Sequence, residues 1–186
     1  SLRKKRILLA KYLPFFNYHE LYKEYLLYPK SADEWKGFSA TNQITPYTGT
    51  LDYMTTDNSY YPVDEWTLDY MRQVKEILDQ HGTKLLMVSA PNPLNWTTSK
   101  HNTLQEWCDQ NNVTYIDYNL KPEELNINWL TDSRDGGDHL NYSGSVKFMN
   151  VLGKYLQENY ELTDHRNDPA YTKWNEDYKS IFGGAQ

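Results

Sequence analysis

Two short apolar runs with a helical segment between them constrain the fold of this chain more than any other feature. The first, KLLMVSA over residues 84–90, is closed by the turn-forming sequence Pro-Asn-Pro, and the second is VTYIDYN over residues 113–119. Between them NTLQEWCDQNN, residues 102–112, has the pattern of a short helix. Strands that alternate with helices through short connections predict an α/β fold with a parallel, doubly wound sheet.

Two amphipathic segments flank this unit and predict longer helices. PVDEWTLDYMRQVKEILDQHG, residues 62–82, begins with acidic residues that suit a helix N-terminus and ends with a glycine that suits a C-terminal cap. SGSVKFMNVLGKYLQENY, residues 143–160, is predicted to begin with Ser143 as its N-cap. The apolar residues that recur at helical spacing are Val63, Trp66, Tyr70, Val74 and Ile77 in the first segment and Val146, Met149, Leu152, Leu156 and Tyr160 in the second.

The segments before residue 62 and after residue 160 predict two more helical regions and one long loop. Residues 2–28 indicate a helix interrupted near Pro14, residues 29–62 have many turn formers and no steady period, and residues 161–186 indicate a helical tail. We therefore expect one domain over residues 1–160, with the tail packed on it. No apolar run approaches the roughly 18 residues that span a bilayer, so the chain itself is expected to be soluble.

Charge and composition exclude several classes of function. A net charge of −6 and a pI near 5.3 argue against a nucleic-acid partner. The basic cluster at residues 3–6 is the exception, predicted to be a solvated helix face, with contact to a membrane surface or an anionic polymer as the alternative. The single cysteine, Cys108, excludes an internal disulfide framework. The 17 tyrosines and 6 tryptophans are compatible with stacking on sugars or on a partner protein.

His139 is the strongest candidate for a catalytic residue. It lies in DGGDHLN, at a junction between a loop and a helix, and Asp135 and Asp138 precede it. A carboxylate that accepts a hydrogen bond from one ring nitrogen fixes the tautomer and leaves the other nitrogen as a general base. Gly136 and Gly137 permit a tight loop over a pocket. The alternative is that His139 caps or packs beneath the loop.

A metal centre is not predicted. The other four histidines are scattered along the chain, and none pairs with an acidic residue at a recognisable ligand spacing. Glycine-rich phosphate loops are also absent, so no cofactor is expected. An aspartate-rich loop that holds a calcium ion stays the alternative.

The stretch DGGDHLNYSGSVKF, residues 135–148, resembles the last sequence block of the SGNH (GDSL-type) hydrolases, in which Asp, His, Leu-Asn and a helix-opening Gly follow one another. With the segments from KLLMVSAPNPLNW onwards, the chain is similar over roughly residues 1–160 to a branch of membrane-anchored SGNH proteins on the outside of Gram-positive bacteria. That branch is related in type to the D-alanyl-lipoteichoic acid transfer protein and to alginate O-acetyltransferases.

The resemblance implies a three-layer α/β/α fold with a parallel, flavodoxin-like sheet and a Ser-His-Asp triad in which His139 is the base. The family's orienting acid lies three residues before the histidine, where this chain has Gly136. Asp135, four residues before, is favoured because a directly adjacent residue rarely turns back to the ring, and Asp138 is the alternative. Asn92, Trp96 and Asn141 are the candidate substrate-binding residues.

The chain departs from the family at the nucleophile, because no Gly-Asp-Ser type block follows an early strand. Ser89 follows a strand, but it aligns with a later, non-nucleophilic one. Ser1 is the first residue, and Ser31, Ser39, Ser59 and Ser99 lie in polar loops with no apolar strand before them. We therefore expect this chain to be the C-terminal part of a longer protein, inactive alone, whose missing part carries the membrane helix, the first strand and the serine.

The leading hypothesis is a portion of an SGNH-type esterase or O-acyltransferase that acts on a cell-surface polysaccharide or teichoic-acid-type polymer. An acyl donor or a membrane acyltransferase is a possible partner, and the extracellular face of the cell is the expected location. The alternative is a non-catalytic interaction or carbohydrate-binding module on an SGNH-like scaffold. An unrelated doubly wound domain with a chance Asp-His-Leu-Asn sequence is a third interpretation.

Overall fold

A computed structural model describes residues 41–182 of the chain, with side chains through residue 180. Residues 41–162 form one compact unit, and the residues from Thr163 onwards belong to another. The elements are α1 (Glu65–Gln80), β1 (Leu86–Ser89), α2 (Thr98–Gln110), β2 (Thr114–Asp117), α3 (Pro122–Leu125), α4 (Tyr142–Asn159) and α5 (Thr172–Phe182), with 3-10 turns at Tyr118–Leu120 and Pro169–Tyr171. The predicted helix over residues 2–28 and the basic cluster lie outside the described residues.

The predicted strand–helix–strand unit is confirmed as a mixed α/β arrangement with a parallel sheet. Within residues 41–182 the sheet has two strands, and Val88 of β1 lies opposite Ile116 of β2. Each strand is shorter than predicted, with four residues instead of seven. After β2 the chain turns at once into the 3-10 turn, because the side chain of Asp117 accepts a hydrogen bond from the backbone N–H of Asn119.

Helices supply apolar side chains to both faces of this sheet. On one face, Trp107 and Cys108 of α2 form a buried cluster to which Met87 and Tyr115 contribute from the strands. On the other face, Ile116 and Tyr118 are buried with side chains of α4 packed against them. Burial raises the pKa of the Cys108 thiol to about 11, so this cysteine is a packing residue and not a reactive thiolate.

The inward faces of α1 and α4 differ from the predicted stripes. In α1, Leu68 and Met71 pack against the buried cluster, whereas the predicted stripe is turned to solvent, with Trp66 63% and Tyr70 61% exposed. In α4, Phe148, Val151, Leu152 and Tyr155 contact the second cluster, and the predicted Val146 and Met149 are exposed. Each helix carries enough apolar residues for two faces, so periodicity alone selected the outward face of α1 and, in α4, a stripe of which Leu152 packs inward while Val146 and Met149 are exposed.

The helix ends follow the capping rules, with two corrections. Asp64 caps α1 by accepting from the backbone N–H of Thr67, and Gly82 follows this helix with φ +63°, as the sequence predicts. The N-cap of α4 is Asn141 and not Ser143, because the Asn141 side chain accepts from the backbone N–H of Gly144. Similarly, α2 begins at Thr98 after the cap Thr97, four residues before the predicted start.

The predicted loop is seen over residues 41–62, which contain no helix or strand. It is tied down by backbone hydrogen bonds across the loop that precedes α4. Thr45 donates to the carbonyl of Ser133 at 2.9 Å and accepts from Gly136 at 3.1 Å, and Tyr47 donates to Trp129 at 3.0 Å. The loop therefore braces the segment that carries His139.

The start of α4 is anchored on the buried carboxylate of Asp132, whose side chain is 2% exposed. It accepts hydrogen bonds from Lys147 Nζ and from the backbone N–H of Asn128, both at 2.7 Å. Burial raises the pKa of Asp132, but these bonds outweigh burial and hold it below its ordinary value. Gly144 packs directly against this residue: a Cβ there would lie 2.6 Å from the Asp132 carbonyl oxygen.

Within residues 41–182, none of the helices combines the length and apolar character that crossing a membrane requires.

The two glycines of α4, Gly144 and Gly153, provide a matched test of the close contact between Gly144 and Asp132. We expect Gly144→Ala to lower the free energy of unfolding by about 2 kcal/mol, because the new methyl group meets backbone that cannot move aside. Gly153→Ala should raise it by about 1 kcal/mol, since a Cβ at this helical position meets nothing within 4 Å. Urea unfolding followed by circular dichroism measures both, and a Gly144→Ala variant as stable as Gly153→Ala would contradict the packing described here.

Candidate active site

His139 is presented by a short antiparallel hairpin between β2 and α4. Ser133 and Leu140 form a β-bridge, and the backbone N–H of Arg134 donates to the carbonyl of His139 at 3.1 Å. The turn between these arms contains Gly136 and Gly137 with φ of +79° and +102°, a region that disfavours residues with a Cβ. The glycines therefore allow the hairpin to close.

The imidazole of His139 is hydrogen-bonded to Asp135. Nδ1 of His139 lies 2.6 Å from Oδ2 of Asp135, while Oδ1 accepts from the backbone N–H of His139 at 2.7 Å. Burial raises the pKa of Asp135, but the bonds from His139 and from Arg134 outweigh it, so the pKa lies below its ordinary value. A carboxylate in this position favours the tautomer with Nδ1–H, in which Nε2 carries the lone pair.

Asp138 has a different set of partners. Its Oδ1 accepts from the side-chain amides of Asn92 at 2.9 Å and Asn95 at 2.7 Å, both from the loop after β1. These two bonds lower the pKa of Asp138. Its Oδ2 is 3.5 Å from Nδ1 of His139, too far for a good hydrogen bond. The geometry therefore places Asp135 as the acid that contacts the ring, and Asp138 as the link between the two loops.

A cavity of about 370 Å³ opens beside His139. Its walls combine apolar side chains, among them Phe148, with polar groups of Asn92, Arg134 and Ser145. Asn92, predicted to bind substrate, is thus in place. Arg134 and Ser145 are not among the residues predicted from the sequence. A hairpin predicted around Gly136 and Gly137 would have placed Arg134 opposite His139.

The other two predicted substrate-binding residues lie elsewhere in the structure. Trp96 donates its indole N–H to Asp117 Oδ2 at 2.9 Å and does not line the cavity. Asn141 is 3% exposed, and its side chain caps α4 while donating to the carbonyl of Thr131. Trp96 belongs to a partly buried network and Asn141 to the helix cap, and a part for either residue in substrate binding stays a prediction.

The network around Asp117 joins the carboxyl ends of both strands. Asp117, with a side chain 1% exposed, accepts from Trp96, from the side chain of Asn119 at 2.7 Å, and interacts with His101 Nδ1 at 2.9 Å. Asn119 in turn accepts from the backbone N–H of Asn92 at 2.7 Å. The loop that carries Asn92 is therefore held to β2, as expected for the rim of a parallel sheet.

The described serines differ in their relation to this site. Ser89 is buried, and its hydroxyl is bound to the Tyr115 hydroxyl at 2.8 Å. Ser145, in the first turn of α4, lines the cavity. Among the described residues no serine hydroxyl is hydrogen-bonded to the ring of His139, whose partner is Asp135.

The same loop has donors that suit a divalent cation. One ligand atom each from Asp135, Asp138 and His139 lie within 4.8 Å of one another. A cation held there would compete with the hydrogen bond between Asp135 and His139, and the prediction that the site needs no metal stays a prediction.

Comparison of the chain with models of protein families, with curated proteins and with solved structures found no match in any of the three.

The tautomer of His139 tests which acid orients the ring. We expect Asp135→Ala to reduce the population of the Nδ1–H tautomer strongly, because it removes the acceptor at 2.6 Å. Asp138→Ala is the matched control and should leave that tautomer dominant, since its contact is long. Two-bond proton–nitrogen correlation spectra of the ring measure the tautomer at a pH where His139 is neutral. A larger effect of Asp138→Ala would reverse the assignment of the two acids.

Proposed function

We propose that this chain carries the histidine–aspartate part of an SGNH-type esterase or O-acyltransferase. The observation that carries the proposal is the short contact between Nδ1 of His139 and Asp135, 2.6 Å, at the wall of a cavity. Within such a site Nε2 of His139 takes the proton of a serine hydroxyl as the serine attacks an ester carbonyl. The imidazolium then returns that proton to the leaving alcohol.

The nucleophile in this proposal is a serine supplied by a segment that precedes residue 1, together with the first strand of the sheet. A three-layer, flavodoxin-like fold is part of the same proposal. It is supported by the parallel pairing of β1 and β2 and by the apolar clusters on both sheet faces, to which α2 and α4 contribute.

The proposed substrate is a cell-surface polysaccharide or teichoic-acid-type polymer, and the proposed location is the extracellular face of the cell, with an upstream membrane anchor. A membrane acyltransferase or another acyl donor is the proposed partner. These points rest on the resemblance of residues 135–148 to the last SGNH block and on the many aromatic residues.

The second candidate is a non-catalytic carbohydrate-binding module on the same scaffold. The observation that favours it is that, among the described residues, no serine hydroxyl is bonded to the His139 ring. If the chain hydrolysed esters without an upstream serine, the candidate nucleophile among the described residues would be Ser145, which lines the cavity.

The test of the proposed function is hydrolysis of p-nitrophenyl acetate by this 186-residue chain beside an upstream-extended form. We expect turnover in the extended form alone, and His139→Ala should reduce it by about 10³-fold or more. His165→Ala is the matched control, because His165 forms a similar, exposed contact with Asp168 at 3.3 Å. Equal activity of the His139→Ala and His165→Ala variants would exclude His139 as the base.

Activity of the short chain would change the nucleophile of the proposal. If Ser145 is then the nucleophile, Ser145→Ala abolishes turnover by the short chain. Ser89→Ala is the control, because Ser89 is buried away from the cavity, and this variant should keep its turnover. Absence of turnover in both forms, combined with binding of a polysaccharide, would favour the binding module.

The two aspartates should affect turnover of the extended form unequally. We expect Asp135→Asn to lower kcat by about 10²- to 10⁴-fold, because an amide no longer stabilises the imidazolium that forms in the transition state. Asp138→Asn keeps an oxygen for the Asn92 and Asn95 amides and should lower kcat less. Steady-state kinetics of the two variants at one pH measure the difference, and a greater loss in Asp138→Asn would contradict the assigned roles.

A further inference from the structure

Arg134 is the cationic side chain that lines the His139 cavity. Its place is fixed by the hairpin, since its backbone N–H donates to the carbonyl of His139 at 3.1 Å. The side chain is 35% exposed, so a molecule in the cavity can reach it. Any ligand that approaches the imidazole therefore also meets a guanidinium.

Little of this guanidinium's hydrogen-bonding capacity is used within the protein. Its Nε lies 3.4 Å from Asp135 Oδ2, a long contact to an oxygen that already bonds His139 at 2.6 Å. Among residues 41–182 its two terminal nitrogens have no hydrogen-bond or ion-pair partner. A guanidinium has five N–H donors, and the terminal pair matches the two oxygens of a carboxylate or phosphate.

The carboxylates of the site are engaged by the protein. Both oxygens of Asp135 accept hydrogen bonds from His139, and Oδ1 of Asp138 accepts two side-chain amides. Apolar side chains, among them Leu140 and Phe148, form much of the remaining wall. Weaker screening beside these walls strengthens both the attraction of Arg134 for an anion and the repulsion from Asp135 and Asp138, and the hydrogen bonds that the two carboxylates accept reduce that repulsion.

We infer that Arg134 is a specificity-determining residue that binds an oxyanion of the substrate, a phosphodiester or a carboxylate carried by the polymer, next to His139. This inference rests on the proposed function and narrows its substrate to anionic glycopolymers. Arginine is the side chain suited to this task because its planar fork recognises both oxygens at once, whereas lysine offers a point charge.

Binding to this 186-residue chain tests the inference without any catalytic step. The probes are dimethyl phosphate, sodium glucuronate and glucose, each titrated at constant ionic strength while the ring signals of His139 are followed by NMR. We expect saturable shifts with at least one of the two anions and none with glucose. Arg134→Gln should weaken the binding of that anion at least tenfold, and Arg134→Lys should weaken it less.

Arg72→Gln is the matched control, because Arg72 lies on α1 and is paired with Glu65 and Asp69. Preference for dimethyl phosphate identifies a phosphodiester-bearing polymer, and preference for glucuronate a uronate-bearing one. Glucose binding as tight as the anions, no anion binding, or an Arg134→Gln variant with unchanged affinity would overturn the inference.

The kinetic arm separates this inference from the proposed function. In the upstream-extended form, Arg134→Gln should raise KM for an acetyl ester that carries the preferred anionic group at least tenfold more than it raises KM for p-nitrophenyl acetate. If the extended form hydrolyses neither ester but the chain still binds the anion through Arg134, the esterase proposal is refuted and the role of Arg134 in anion binding stands. Equal KM changes for the charged and the neutral ester would refute the role of Arg134 in specificity.

Discussion

The arrangement of this site depends on one buried side chain, the amide of Asn119. Its Nδ2 donates to the Ala90 carbonyl at 3.0 Å and to Asp117, and its Oδ1 accepts from the backbone N–H of Asn92 and from the Tyr53 hydroxyl. Four groups from three segments of the chain thus meet at one residue that is 4% exposed. An amide suits this position because it donates and accepts at once, so each buried partner is satisfied.

What Asn119 holds in place is the loop that reaches the histidine. Asn92 and Asn95 of that loop bind Asp138, whose neighbour is His139. The two aspartates of the hairpin therefore have different roles. Asp138 joins the hairpin to the loop after β1, and Asp135 orients the His139 ring. Arg134, paired with His139 across the same hairpin, lines the cavity, and among the described residues its terminal nitrogens have no hydrogen-bond partner. Residues 134–139 therefore bring together a guanidinium, two carboxylates and an imidazole, and the two carboxylates have different main partners.

Several elements could be predicted because their cause is local. The acidic N-terminus of α1, the glycine after this helix and the order of strand and helix follow from residue types and spacing, and the structure confirms them. The face of α1 could not be predicted in this way. Its outward face carries Trp66 and Tyr70, and its inward face Leu68 and Met71, so both are apolar, and the position of the strands beneath decides which is buried.

The candidate site likewise has features with a local cause and features that depend on tertiary contacts. The sequence by itself determined that His139 would sit in a tight, acidic, glycine-containing turn before a helix, because short-range chemistry and φ preferences depend on neighbours alone. The spacing in the sequence also favours Asp135 as the acid that meets the ring, and the structure shows that contact. The tertiary structure decided that Asp138 meets Asn92, that Trp96 meets Asp117 while Asn141 caps α4, and that Arg134 lines the cavity. The contacts of Asp138 with Asn92 and of Trp96 with Asp117 join residues 46 and 21 positions apart, and pairs so far apart along the chain leave no period or spacing in the sequence.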